Sequence, residues 1–207
     1  MGTNSDERLW IMRSQHGDDN AFAQLVENYQ RAVFNLCYRM LGDPTEAEDA
    51  AQETFLRAYT RLASYDSQRK FSTWLLSIAS HYCIDRLRAR RHGRVSWDYL
   101  CHGLNLSDPN PGPEEAALRR ETQRRVQKLL DTLPPGYRVA VVLRYWHELS
   151  YEEMAETLNA TLPAVKSRLF RARQMLAQAD AQAAPRDARR DWVRFRGEAG
   201  PAQQHCC

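Results

Sequence analysis

A short basic stretch in the C-terminal third carries the side chains best suited to binding chemistry. The segment TLPAVKSRLFRAR, residues 161–173, places cations, a hydroxyl and an aromatic ring at helical spacing. Its apolar residues recur at i, i+4, i+7 and i+11 and predict a buried stripe of Val165, Leu169, Ala172 and Leu176. The outward face then carries Lys166, Ser167, Phe170, Arg171 and Gln174, and Arg168 and Arg173 flank it. A guanidinium can fork onto guanine, a ring can contact a thymine methyl group, and cations suit phosphates. The alternative is a solvated basic helix with one stray aromatic residue.

The segment upstream favours the first interpretation. Ser150 followed by Glu153 is a capping box, and Met154 and Leu158 supply the buried positions of a short helix. A break at residues 159–161 leads into the basic helix, for which Thr161 is a suitable N-cap. Two short helices joined by a tight turn, the second of them cationic, predict a helix-turn-helix that reads the DNA major groove.

An enzyme that acts on nucleic acid is an alternative of another class. The sequence has no His-Glu-x-x-His pair, no phosphate-cradling glycine loop and no nucleophile elbow. His81 and Asp85 are one helical turn apart, but such a lone pair is more often structural. The sequence therefore predicts a protein that is not an enzyme.

Composition indicates an all-α protein. The 207 residues carry a net charge of +3, with 43% hydrophobic and 27% charged residues, which excludes global disorder. Alanine, leucine, arginine, glutamate and glutamine dominate, and β-branched runs are short. No apolar run approaches the roughly 20 residues that span a bilayer, and no signal-peptide core is visible. We expect a cytoplasmic protein without membrane insertion, whose five cysteines are reduced.

Two helical domains are predicted on either side of a proline-rich linker. Helical periodicity covers residues 18–41, restarts with an Asp43-Pro44 cap, and resumes near Ser72. Beyond the linker, helices are predicted at residues 113–130 and 135–146. The expected organisation is an N-terminal segment 1–17, a domain 18–93, a linker 94–113, a domain 114–178 and a tail 179–207.

Charge is segregated within the N-terminal half. Glu46, Asp49 and Glu53 form an acidic stripe with Gln52 beside it and almost no basic partner at i+4 before Arg57. The stripe is either a solvated face or a surface set up for cations from elsewhere. Residues 69–94 join aromatic residues to clustered arginines, a combination that suits unstacked bases along a phosphate backbone.

The order of these motifs resembles a known family. AEDAAQETFLRAY, FSTWLLSIASHYCIDRLRAR and LPPGYRVAVVLRYWHELSYEEMAETLNATLPAVKSRLFRARQML are similar to bacterial RNA polymerase sigma factors of the sigma-70 family, extracytoplasmic-function (group IV) class. The resemblance covers roughly residues 18–178. It implies a region 2 helical bundle and a region 4 helix-turn-helix joined by a flexible linker.

The resemblance also implies partners and sites, with no cofactor. Members bind core RNA polymerase through its beta-prime clamp and beta flap, recognise promoter DNA, and usually have an anti-sigma factor. The resemblance implies that polymerase docking involves the residues of the acidic stripe, Glu46, Asp49, Gln52 and Glu53. Capture of the −10 element is carried over to the loop 65–72 and the next helix: Arg69, Lys70, Ser72, Trp74, His81, Arg86 and Arg88. Reading of the −35 element is carried over to Lys166, Ser167, Arg168, Phe170, Arg171 and Arg173.

The sequence departs from the family pattern at two places. His81 stands where asparagine is common in the −10 pocket, so base preference there is expected to differ. Pro163-Ala164 stand where Gly-Thr is common before the −35 helix, which removes a backbone donor and a hydroxyl.

Two further alternatives stay open. Cys101, His102, His205, Cys206 and Cys207 are weak candidates for a metal site between linker and tail, against incidental thiols in a disordered end, which we favour. A one-component helix-turn-helix regulator, acting without polymerase, is the main functional alternative. It leaves the acidic stripe unexplained.

Overall fold

The structure is a computed structural model, which describes residues 4–92 and 113–183. All of its regular elements within those ranges are helical, so the predicted all-α class is confirmed. The α-helices are α1 Asn4–Gln15, α2 Asp19–Leu41, α3 Pro44–Arg61, α4 Phe71–His92, α5 Pro113–Asp131, α6 Pro135–Tyr145, α7 Tyr151–Thr157 and α8 Leu162–Ala183. A 3₁₀ turn, Leu62–Ser64, follows α3.

Local capping interactions set the helix starts and stops in the N-terminal unit, residues 4–92, and one of them, the Asp43 cap, was predicted. The Asp18 carboxylate accepts a hydrogen bond from the Ala21 amide and starts α2. Gly42 ends α2 at a φ of 81°, a left-handed conformation that glycine adopts without steric cost. Asp43 then caps α3 through the Glu46 amide. The two helices therefore form a tight antiparallel pair.

Helix α2 is the centre of this unit and packs on α1, α3 and α4. Leu25, Val33, Leu36 and Met40 lie along its inward face and are almost completely buried. Helices α3 and α4 meet this face with small and branched residues: Ala47, Ala50, Ala58, Leu75 and Ala79. Each leucine buried in this way contributes about 1.5–3 kcal/mol.

Two cysteines belong to the same core. Cys37 of α2 and Cys83 of α4 are free thiols, as predicted, and both have no exposed surface. The hydrogen bond with the Cys37 thiol, together with burial, raises the pKa of Cys83 far above its ordinary range. Both residues are therefore packing residues.

The C-terminal unit, residues 113–183, contains the predicted helix-turn-helix. The Ser150 hydroxyl accepts from the Glu153 amide at 3.1 Å, and the Glu153 carboxylate accepts from the Ser150 amide at 2.8 Å. This confirms the capping box at the start of α7. Asn159, at a φ of 45°, makes the left-handed turn into α8. Helix α8 continues to Ala183, so the predicted domain end at 178 falls inside it.

The two units pack directly against each other. The Arg138 guanidinium of α6 donates to the Met40 carbonyl at 2.6 Å, and Gln127 of α5 donates to the Arg39 carbonyl at 3.3 Å. These are carbonyls of the last turn of α2, which have no partner within their own helix. The Arg39 guanidinium lies 5.0 Å from the Trp146 ring centroid. Side chains of the second unit thus cap a helix of the first. The predicted linker lies almost entirely outside the described residues.

Candidate nucleic-acid and polymerase interfaces

Helix α8 presents the face that the sequence predicted. Val165, Leu169 and Ala172 are buried against the rest of the unit, and Phe170 has 59% of its surface exposed. Arg171 is also exposed. Exposed with them are Lys166, Ser167 and Arg173, while Arg168 is half-buried at the edge of this face. An aromatic ring among cations, a hydroxyl and no carboxylate suits a groove lined by phosphates.

The start of α8 is fixed by Thr161, just before the helix, and by Tyr151 of α7. The Thr161 hydroxyl accepts from the Ala164 amide at 3.4 Å, and the Thr161 carbonyl accepts from Val165 at 3.0 Å. The Lys166 ammonium lies 5.8 Å from the Tyr151 ring centroid, and the Arg144 guanidinium lies 5.2 Å from the same ring. Tyr151 therefore holds two cations beside the first turn of α8.

The exposed face of α4 contains the residues predicted for −10 recognition. Trp74 is half-buried, and its ring centroid lies 5.0 Å from that of Tyr65 and 5.5 Å from that of Phe71. It is therefore part of an aromatic cluster and also partly accessible. His81 lies two turns further along the same face and is exposed. Its Nδ1 is 2.7 Å from the Ser77 carbonyl, to which it must donate, so Nε2 is the ring nitrogen that faces outward.

The remaining −10 candidates differ in their surroundings. Arg69 and Arg86 are exposed and Ser72 is half-buried. Arg88 is exposed as well, and its Nη1 lies 3.5 Å from the Asp85 carboxylate. The cations therefore follow the loop and the outer face of α4, and one of them shares its charge with a neighbouring acid.

Lys70 contacts the other unit. Its ammonium lies 2.6 Å from the Glu153 carboxylate of α7. The hydrogen bond from Lys70, together with that from the Ser150 amide, lowers the pKa of Glu153 below its ordinary range. The same hydrogen bond raises the pKa of Lys70. A candidate −10 residue thus pairs with the capping residue of the helix-turn-helix, and no sequence pattern predicted this contact.

The acidic stripe on α3 is only partly as predicted. Asp49 and Gln52 are exposed. The expectation that the stripe lacks basic partners is wrong for Glu46, which pairs with Arg90 of α4. Glu53 lies 2.7 Å from Arg57, the basic residue that the sequence places at i+4. These pairs arise from the fold and from i,i+4 spacing respectively.

An apolar cleft of about 620 Å³ adjoins this stripe. It lies between α2 and α3, and its lining residues are Asp19, Phe22, Val26, Gln52, Phe55, Leu56 and Tyr59. Leu56 is 63% exposed and Tyr59 is 45% exposed. Sequence reasoning missed the cleft, although Leu56 follows Asp49 by two helical turns and could have been placed on the same face.

Comparison with known proteins identifies the family. The family model for Sigma-70 region 2 matches residues 25–93, and that for Sigma-70, region 4 matches residues 123–176. The ECF RNA polymerase sigma factor SigW of Bacillus subtilis is 40% identical over 177 residues, which are 80% of this chain and 92% of that protein. The chain belongs to the sigma-70 family, in its extracytoplasmic-function class. The resemblance expected from the motifs is thereby confirmed.

Further relatives of this sigma factor support the same family assignment. The RNA polymerase sigma-H factor of Pseudomonas aeruginosa is 33% identical over 86% of this chain and 96% of that protein. Among solved structures, CnrH in complex with the cytosolic domain of CnrY has a TM-score of 0.64 and 25% identity. That match covers 86% of this sigma factor and 99% of CnrH. The region 2 and region 4 fold is therefore shown for both units.

The described part of the sigma factor has neither a cluster of metal ligands nor a membrane-spanning helix. In residues 4–92 and 113–183, no cluster of three or more histidine, cysteine or acidic side chains could hold a metal ion. The weak candidates in the predicted linker and tail lie outside those ranges. None of the described helices is long and apolar enough to cross a membrane.

Proposed function

We propose that this chain binds core RNA polymerase and directs it to promoters, where it recognises the −35 and −10 elements and starts opening of the duplex. The observation that carries the proposal is that the matched regions, 25–93 and 123–176, fall on two units that each expose basic and aromatic side chains on one face. A protein with both faces can contact two separated promoter elements. A one-component regulator needs only the DNA-binding face of the C-terminal unit.

Helix α8 enters the major groove at the −35 element. Arg171 forks onto a guanine edge, and Phe170 contacts a thymine methyl group. Lys166 and Arg173 contact the flanking phosphates, which fixes the register of the helix on the duplex. The half-buried Arg168 orients its charge along the same backbone. This division separates sequence-specific contacts from nonspecific ones.

The loop 65–70 and the exposed face of α4 take a base of the −10 element out of the stack. Trp74 is supported by two other rings and offers its accessible side to an unstacked base. His81 presents Nε2 to the same strand, as an acceptor when the ring is neutral and as a donor when it is protonated. Arg69, Arg86 and Arg88 follow the phosphate backbone.

Helix α3 docks on the polymerase clamp. Asp49 and Gln52 supply polar contacts, and the cleft beside them, with Leu56 and Tyr59, accepts an apolar side chain of the clamp. An apolar centre with a polar rim is typical of a specific protein interface. The C-terminal unit would contact the beta flap.

The contact between the two units is expected to open for promoter binding. The Lys70 ammonium shares its charge with the Glu153 carboxylate at 2.6 Å, so separation of the units would leave its full charge for a phosphate. It would also free α8 to move relative to α4. We propose that polymerase binding favours the separated state, since each unit then has its own docking surface.

Regulation and location are also part of the proposal. The related CnrH is solved in complex with the cytosolic domain of CnrY, and we propose that this chain also binds a partner protein, which would act as its anti-sigma factor. It would act in the cytoplasm, as an initiation factor and not as an enzyme.

Binding to core polymerase tests the proposal against the one-component alternative. The purified chain is mixed with bacterial core polymerase at moderate salt, and comigration is measured by gel filtration. Stoichiometric comigration is expected. Tight, sequence-specific binding to duplex DNA by the free chain, with no binding to core polymerase, would instead support a one-component regulator.

A further inference from the structure

Helix α1 lies before the matched region 2 and nevertheless packs into its core. Ile11 and Ser14 are 6% and 7% exposed, and α1 contacts both α2 and the 3₁₀ turn. The predicted boundary, which set residues 1–17 apart from the first domain, is therefore wrong for α1. Its last helical residue, Gln15, points toward the end of α3.

Gln15 makes two long-range hydrogen bonds through one amide group. Its Nε2 donates to the Leu62 carbonyl and to the Tyr65 carbonyl, each at 3.1 Å. A carboxamide has two N–H groups, so both donors are used. Both acceptors belong to the short stretch where α3 ends and the loop 65–70 begins. Gln15 therefore fixes the backbone at the start of that loop.

Tyr65 transmits this constraint across the loop. Its side chain is 7% exposed, and its hydroxyl donates to the Arg69 carbonyl at the far end of the loop. Its ring packs on Phe71 and Trp74, with centroids 5.5 and 5.0 Å away. The position of the Tyr65 backbone thus decides where the end of the loop and the Trp74 ring lie.

We propose that Gln15 is a positioning residue for recognition of the −10 element, which acts through Tyr65 and does not itself contact DNA. This inference rests on the proposed function, because it assigns Gln15 to the loop that captures the base. Without the two hydrogen bonds, the 3₁₀ turn and the loop can shift relative to α4. A base pocket built partly from loop and partly from helix then loses its shape, although the core of the unit persists.

The test uses holoenzyme assembled from core polymerase and the full chain. Gln15→Leu keeps the apolar part of the side chain and removes both donors. Gln15→Lys restores a donor at similar reach. Gln24→Leu, at an exposed position of α2, is the matched control. Transcription is measured from two template libraries, one randomised across the −10 element and one across the −35 element.

Gln15→Leu is expected to lower discrimination at one or more −10 positions by about fivefold or more, the lower end of what a specific base contact contributes. Discrimination across the −35 element and affinity for core polymerase should be unchanged. Gln15→Lys should recover most of the −10 selectivity, and Gln24→Leu should behave as wild type. Hydrogen exchange of the free chain should show faster exchange at residues 65–70 in Gln15→Leu alone.

Two results would overturn the inference. The first is an unchanged −10 profile for Gln15→Leu. The second is a parallel loss of −10 selectivity, −35 selectivity and polymerase affinity, which would assign Gln15 a general role in folding. If wild-type chain and core polymerase give no promoter-specific transcription, the proposed function fails, and the exchange rates at residues 65–70 still decide whether Gln15 holds the loop.

Discussion

Substitution of Arg138 probes the packing of the two units. Arg138 lies on α6 and is 6% exposed, yet its hydrogen bond goes to the Met40 carbonyl at the end of α2, 98 residues away in sequence. Its guanidinium also lies 3.0 Å from the Asp131 carboxylate. Arg138→Met keeps the aliphatic stem and removes the charge and the donors. The Met40 carbonyl then loses the donor that caps its helix.

The magnitude follows from the two contacts. A hydrogen bond from a charged donor contributes about 1.5–3 kcal/mol. The Asp131 side chain is half exposed, so its ion pair adds at most about 1 kcal/mol. We expect Arg138→Met to lower the free energy of unfolding by about 2–3 kcal/mol. For a chain of this length, that corresponds to a fall in Tm of about 4–12 °C.

Calorimetry and urea unfolding of the full chain measure this change. Arg124→Met, at an exposed position of the neighbouring helix α5, is the matched control and should shift stability by less than about 0.5 kcal/mol. A change of that small size for Arg138→Met would mean that Arg138 is hydrated in solution. That result would contradict the packing of α6 on the end of α2 described above.

Further predictions concern the individual sites. Asp49→Lys should abolish comigration with core polymerase at moderate salt without changing the circular dichroism spectrum; retained comigration would remove Asp49 from the docking surface. Arg171→Ala should lose about 1–3 kcal/mol of discrimination at one −35 base pair, whereas Lys166→Ala should weaken binding to specific and random duplexes equally. If Arg171→Ala also loses equal affinity for both duplexes, Arg171 contacts a phosphate. His81→Asn should change base preference at one −10 position and leave −35 binding unchanged; an identical profile would make His81 a bystander. Burial lowers the pKa of His147 to about 4, so between about pH 6.5 and pH 4 only the unfolded chain gains a proton there. The free energy of unfolding should therefore fall on acidification, by about 2 kcal/mol at pH 5. His147→Gln should lose that part of the pH dependence. Equal pH profiles of stability for the wild type and His147→Gln would show that the imidazole is accessible to solvent.

Local signals in the sequence were sufficient for most of the helices. The caps at Asp18, Asp43 and Ser150 and the left-handed Gly42 depend on residues within one turn of each other, so their patterns can be read directly. The exposed face of α8 follows in the same way from periodicity, because its buried stripe leaves only one orientation for Phe170.

Contacts between distant segments were not predictable from such patterns. Glu46 was taken as an unpaired carboxylate, but the fold brings Arg90 to it from a different helix. Gln15, Arg138 and Lys70 each act through partners more than 40 residues away. A glutamine or arginine in a helical pattern carries no sign of which distant carbonyl it will cap.

Transcription from genomic DNA by core polymerase, with and without the chain, tests the central claim most directly. Transcript 5′ ends are sequenced, and the DNA upstream of each chain-dependent start is aligned. The account predicts start sites preceded by two sequence elements at a constant separation, since two units of one protein read them. Absence of chain-dependent starts, or starts preceded by a single element bound equally well without polymerase, would contradict it.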